Sequence, residues 1–155
     1  MDDHINSLYE TDALIWTETQ IALLRAGKFD QLDLENIISE LGYQVRKDKR
    51  EVASRLRRLV HHLLKYQFQP ARVCNSWRQT IETQRQQIMM VLDDMPSLRR
   101  QLGDYAARVY PKAVRDAARE TYLPVSAFPK AMPYSIEQIL DEDFLPAPSK
   151  KAVDT

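Results

Sequence analysis

Residues 32–69 read LDLENIISELGYQVRKDKREVASRLRRLVHHLLKYQFQ. Their apolar residues are Leu34, Ile37, Ile38, Leu41, Val45, Val52, Leu56, Leu59, Val60, Leu63 and Leu64. Spacings of three and four place all of them in one stripe along a helix. Asp33 can cap its start, Leu32 precedes the cap as a staple residue, and Pro70 stops the pattern. A helix from Leu34 to about Tyr66 is roughly 50 Å long at 1.5 Å per residue. So long an apolar stripe calls for other helices to cover it. Gly42 costs about 1 kcal/mol relative to alanine, but the stripe keeps phase across it, which predicts a continuous or slightly bent helix. Asp48 and Lys49 take the next stripe positions, so the helix is expected to be uncovered there or to meet a polar partner.

Outward from this stretch, the N-terminal side predicts a hairpin. Thr11 or Asp12 caps a first helix running to about Ala26, with Leu14, Ile15, Ile21 and Ala22 on its main stripe and Trp16 beside it. Gly27 is a natural C′ residue, and a short turn leads into the long helix antiparallel to the first. On the C-terminal side, Asn75 or Ser76 caps a helix over about 77–93, on which Gln84 and Arg85 interrupt the apolar face. Leu98, Leu102, Tyr105 and Val109 begin a further stripe, and Val114, Ala118 and Tyr122 continue it. Pro111 falls inside and predicts one kinked helix. Four prolines between Pro111 and Pro133 make LPVSAFPKAMPY an extended segment, and Ser135 with Gln138 forms a capping box for a short helix, SIEQILDE. The expectation is an all-α bundle built on one long helix, with an extended proline-rich C-terminal segment and a short terminal helix. A single domain spans 1–145, and 146–155 is a flexible tail.

Composition narrows the function classes. The chain has 155 residues, 44% apolar and 28% charged, with three glycines, which fits one soluble helical domain. The longest apolar run, Ile88 to Leu92, cannot span a membrane. The acidic, polar start MDDHINSLYE is unlike a signal peptide, and the single cysteine, Cys74, fits a reducing cytoplasm. Net charge is zero but segregated: residues 1–45 hold nine acids and two bases, and residues 46–78 hold ten bases and two acids. That asymmetry marks either a nucleic-acid surface or pairing within the molecule, between the basic segment and the acidic first two helices. For nucleic acid the contacts fall to Arg46, Lys47, Lys49, Arg50, Arg57 and Arg58.

No constellation of catalytic residues stands out. His61 and His62 point about 100° apart and have no carboxylate one turn away on their own helix, so no metal site is assigned and no cofactor is expected. Cys74 precedes a helix start but has no base beside it. The candidate binding residues are His62, Lys65 and Tyr66, which share a helix face, and Trp77 and Arg78, which return beside them after the Pro70 turn. They gather as an anion- or peptide-binding corner, or else plug the end of the bundle.

The stretches YETDALIWTETQIALLRAGKFDQLDLENIISEL, SRLRRLVHHLLKYQFQP, SWRQTIETQR, ARETYLPVSAFP and PYSIEQILDEDFLP resemble the bacterial domain-of-unknown-function family numbered twenty-nine. The resemblance runs from about Tyr9 to Pro146 and implies an all-helical fold, with no activity or catalytic residue to carry over. Tyr66 stands where the family pattern often has tryptophan, Tyr122 where it often has glycine, and the glycine of the long helix falls earlier. The function expected is a non-enzymatic, cytoplasmic helical interaction module with a protein partner or a second copy and no membrane. Nucleic-acid binding through 46–58 is the first alternative, and an enzyme with a site assembled between helices is the second.

Overall fold

A computed structural model of the chain describes residues 8–150, so the extreme N-terminus with His4 and the last five tail residues lie outside the described part. The chain divides into two compact units, with the boundary between Asp48 and Lys49.

The first unit contains a helical turn at 8–11, helix α1 (Ala13–Arg25), a 3-10 turn (Phe29–Gln31) and the start of α2 (Leu34–Phe68). Asp12 caps α1 by accepting from the Ile15 amide at 3.1 Å. Gly27 follows its end at φ +70°, a conformation that side-chain-bearing residues enter only with strain. A small polar knot ties α1 to α2. Trp16 Nε1 donates to Asp33 at 3.0 Å, the Asp33 amide donates to Gln20 at 2.9 Å, and the Tyr9 hydroxyl donates to Glu40 at 2.6 Å. The knot fixes which side of α1 is inside, and it is not the expected one. Trp16 and Gln20 are buried, whereas Leu14, Ile15 and Ile21 are exposed. Hydrogen bonds to Asp33 and Gln20 decide the rotation of α1 here, over the greater aliphatic bulk on its other side.

The second unit holds the rest of α2, a 3-10 turn (Pro70–Arg72), α3 (Asn75–Asp94), a 3-10 turn (Pro96–Gln101), α4 (Leu102–Thr121), a 3-10 turn (Val125–Ala127) and the short α5 (Ile136–Leu140). Helix α3 starts two residues before the expected Trp77, with Cys74 at its N-cap and no side-chain cap bond. Its core gathers Val52, Leu56, Leu59, Val60, Leu63 and Leu64 of α2, Ile81, Ile88 and Leu92 of α3, and Leu102, Val109, Ala113 and Ala117 of α4. Contacts of α2 with α3 run 55 to 84 and 65 to 77, the order of an antiparallel pair. Those with α4 run 57 to 116 and 65 to 120, the order of a parallel one. One helix passes through Pro111. Pro111 and Ala107, whose carbonyl loses its partner, are both exposed, so the lost bond lies on the outer side of the helix.

Helix α4 ends at Tyr122, which adopts φ 60° and is 88% exposed. An L-residue in this left-handed region costs roughly 1 kcal/mol or more, and glycine costs little. Tyr122→Gly is therefore expected to raise unfolding stability by about 0.5–1 kcal/mol, the gain being trimmed by the added freedom of the unfolded chain. Urea denaturation checks this, and an unchanged or lower midpoint would contradict it.

Between Tyr122 and Ser135 the chain makes only the one 3-10 turn. Phe128 is buried against Phe68 with ring centroids 5.1 Å apart, and the Tyr110 hydroxyl donates to the Pro129 carbonyl at 2.5 Å. Burial pushes the Tyr110 phenol up to about 12. Tyr134 donates to Gln67 at 2.6 Å, and the Ser149 amide donates to the Gln67 carbonyl at 2.9 Å. Both bonds of the expected capping box at Ser135 and Gln138 are present.

Candidate functional site

Two features stand apart from the packing. The first is in the N-terminal unit. Leu34, Ile38, Leu41 and Val45 repeat at spacings of four, three and four, the spacing of a helix–helix seam, yet they are 52–68% exposed. The same stripe is completely buried from Val52 onward. The expectation that other helices cover its whole length is thus corrected for the first third. In the same unit Leu14, Ile15, Ile21 and Leu24 of α1 are also exposed. Glu18 stands among the α1 residues and Glu35 beside the α2 stripe, both exposed.

The second feature is a cleft of about 410 Å³ between α2 and α4, lined by Ser54, Arg57, Arg58, His61, His62, Asp116, Arg119 and Glu120. Arg57, His61 and Lys65 lie at intervals of four on α2, and Asp116 and Glu120 at the same interval on α4, so the two rows meet as a ladder. Arg57 grips Asp116 in a fork, Nε to Oδ2 at 2.6 Å and a second nitrogen to Oδ1 at 2.9 Å. Lys65 donates to Glu120. His61 Nε2 lies 3.2 Å from the same Glu120 oxygen without hydrogen-bond alignment.

The electrostatics follow from this arrangement. The Arg57 guanidinium holds the Asp116 carboxyl below its usual range against the pull of burial. Burial pushes Glu120 up, but the Lys65 ammonium, which donates to it, outweighs this and holds it low. Burial depresses His61 and takes His62 down to about 4, so both rings are neutral at pH 7. The basic residues Arg57 and Lys65 thus find their carboxylates on α4, instead of on the acidic first helix. Among the described residues no three His, Cys, Asp or Glu side chains converge to hold a metal ion, and no helix is long and apolar enough to cross a membrane.

The residues of the expected binding corner are placed as follows. Lys65 and Trp77 come together, the ammonium 4.4 Å from the ring centroid. The His62 Nδ1 bonds the Arg58 carbonyl at 2.9 Å on the cleft side. Tyr66 packs on the core, and Arg78 lines a separate depression with Arg85 and Glu142. Of the basic segment, Arg46, Lys47, Lys49 and Arg50 are exposed, and Arg57 and Arg58 line the cleft. Asp116, Arg119 and Glu120 were not singled out by sequence reasoning, and His61 was weighed only as a metal ligand and set aside. The signal available was the matched interval of four between basic residues on one helix and acids on another, and only the fold brings those rows together.

Lys65 is 5% exposed, its stem packed and its head shared between Glu120 and Trp77. Lys65→Ala is expected to cost about 2 kcal/mol, because stem packing and a charge-assisted bond are both lost. Lys65→Met, which keeps the stem, recovers about half of this. Thermal and urea unfolding of the two variants check this; equal stability of wild type and Lys65→Ala would contradict it.

The fold defines an all-α bundle built on one long helix. The chain belongs to the family described as Domain of unknown function DUF29, whose model matches residues 8–145. No curated protein and no solved structure matches the chain significantly.

Proposed function

We propose that this protein is a non-enzymatic helical interaction module that docks a protein partner on the uncovered apolar stripe of α2 and the apolar residues of α1 in the same unit. The observation that carries the reading is the exposure of Leu34, Ile38, Leu41 and Val45 on a helix whose continuation is core. Contiguous exposed apolar surface of this kind attracts partners. Charge selects the occupant. Residues 1–45 hold nine acids and two bases, so a second copy paired face to face brings acid against acid. An amphipathic helix with Lys or Arg along its margins meets both the apolar stripe and its acidic surroundings. The partner is therefore a protein presenting such a basic-rimmed helix. A single cysteine, Cys74, which is exposed, supports a reducing cytoplasmic setting.

The test is fluorescence anisotropy with two synthetic helical peptides that share one apolar face, one rimmed by Lys and the other by Glu. The Lys-rimmed peptide is expected to bind at least tenfold more tightly. Equal affinities, or no binding by either, would overturn the reading. A dimer in sedimentation velocity that Leu41→Asp dissociates would assign the stripe to a second copy. Salt-sensitive retention on DNA or RNA through Arg46, Lys47, Lys49 and Arg50 would replace docking with nucleic-acid binding.

A further inference from the structure

The cleft between α2 and α4 carries charge that its own residues leave unbalanced. Both of its carboxylates are engaged, Asp116 by the Arg57 fork and Glu120 by Lys65. Arg58 on one wall and Arg119 on the other face the same space and are exposed. Neither has a carboxylate within ion-pair distance among the described residues. Arg119 acts on Asp116 only at longer range. Two positive charges on facing helices therefore remain over a space of about 410 Å³, a volume that small ligands occupy.

We propose that this cleft binds a dianionic tetrahedral oxyanion, either inorganic phosphate or a phosphate monoester, gripped between Arg58 and Arg119. Planar guanidinium forks match the oxygens of such an anion, and two of them neutralise a double charge that a monoanion would leave half met. Ser54, one turn before Arg58, adds a hydroxyl at the rim. The Arg57–Asp116 fork keeps the wall between them fixed, so Arg57 positions the site without serving the anion itself. This site stands apart from the apolar stripe, and either reading survives failure of the other.

The experiment titrates the full-length chain at pH 7.5 with sodium phosphate, against sodium chloride of matched ionic strength, by calorimetry and thermal shift. Phenyl phosphate against phenol forms a second arm. Saturable binding of phosphate beyond the chloride control is expected. Arg58→Ala and Arg119→Ala should each weaken it at least tenfold, and Arg119→Lys, which keeps charge but loses the fork, should fall between. Arg115→Ala, exposed on α4 outside the cleft, should leave it unchanged. Phenyl phosphate binding tenfold more tightly than phosphate would assign a monoester, and equal affinities would assign the phosphate group alone. No saturable binding in either arm, or equal losses in Arg58→Ala, Arg119→Ala and Arg115→Ala, would overturn the proposal.

Discussion

Arg85→Ala is expected to lose about 3 kcal/mol of unfolding stability and to loosen α5 first, because a buried cation with several acceptors disappears at once. Arg85 is 2% exposed on α3 and donates to the Ile139 carbonyl at 2.8 Å and the Gln138 carbonyl at 3.3 Å. These belong to the last turn of α5, whose carbonyls have no partner within the helix. Burial pulls the guanidinium below its ordinary range, with Asp141 and Glu142 opposing, and an arginine nevertheless stays charged. Removal leaves the carbonyls dry and unpaired. Arg85→Lys offers one donor centre to two acceptors and should restore less than half of the loss. Urea unfolding combined with limited proteolysis near residues 136–144 measures both effects. A loss under about 1 kcal/mol would show that α5 docks by apolar contact alone.

The second large effect lies in the long helix. Leu63 is fully buried at the centre of the core, so Leu63→Ala should cost about 2–5 kcal/mol through lost transfer energy and the cavity left behind. Ile38, on the same stripe seven turns earlier in round terms, is 68% exposed. Ile38→Ala should stay within about 0.5 kcal/mol of wild type. Matched losses at the two positions would mean that the stripe is covered along its whole length.

This contrast marks how far the sequence is legible. Periodicity identifies the side of a helix that is apolar, and it located α2 from Leu34 almost to its end. It does not say whether anything covers that side, which is why the stripe before Val52 and the rotation of α1 came out differently. Local chemistry read well where the interacting groups are neighbours in sequence. The Asp12 cap, Gly27 and the Ser135 capping box are of this kind, and so is the choice of one helix over two at Pro111, which lies on the exposed side. Pairings distant in sequence were out of reach. Arg85 looked like an interruption of an apolar face because its acceptors lie more than fifty residues on. His61 and Lys65 lacked a carboxylate on their own helix because Glu120 supplies it from α4. Tyr122 was visible as a substitution for glycine in the family pattern, and its positive φ supplies the reason that glycine suits the position.

The central claim is that one helix serves as core after Val52 and as an open docking stripe before it. The most direct measurement is the affinity of the Lys-rimmed amphipathic peptide for Leu41→Asp beside wild type, with the urea midpoint read on the same samples. The account predicts an unchanged midpoint, within about 0.5 kcal/mol as for an exposed substitution, together with at least a tenfold loss of affinity. A drop of 2 kcal/mol or more, the scale of a disrupted core, or an affinity equal to wild type, would contradict it.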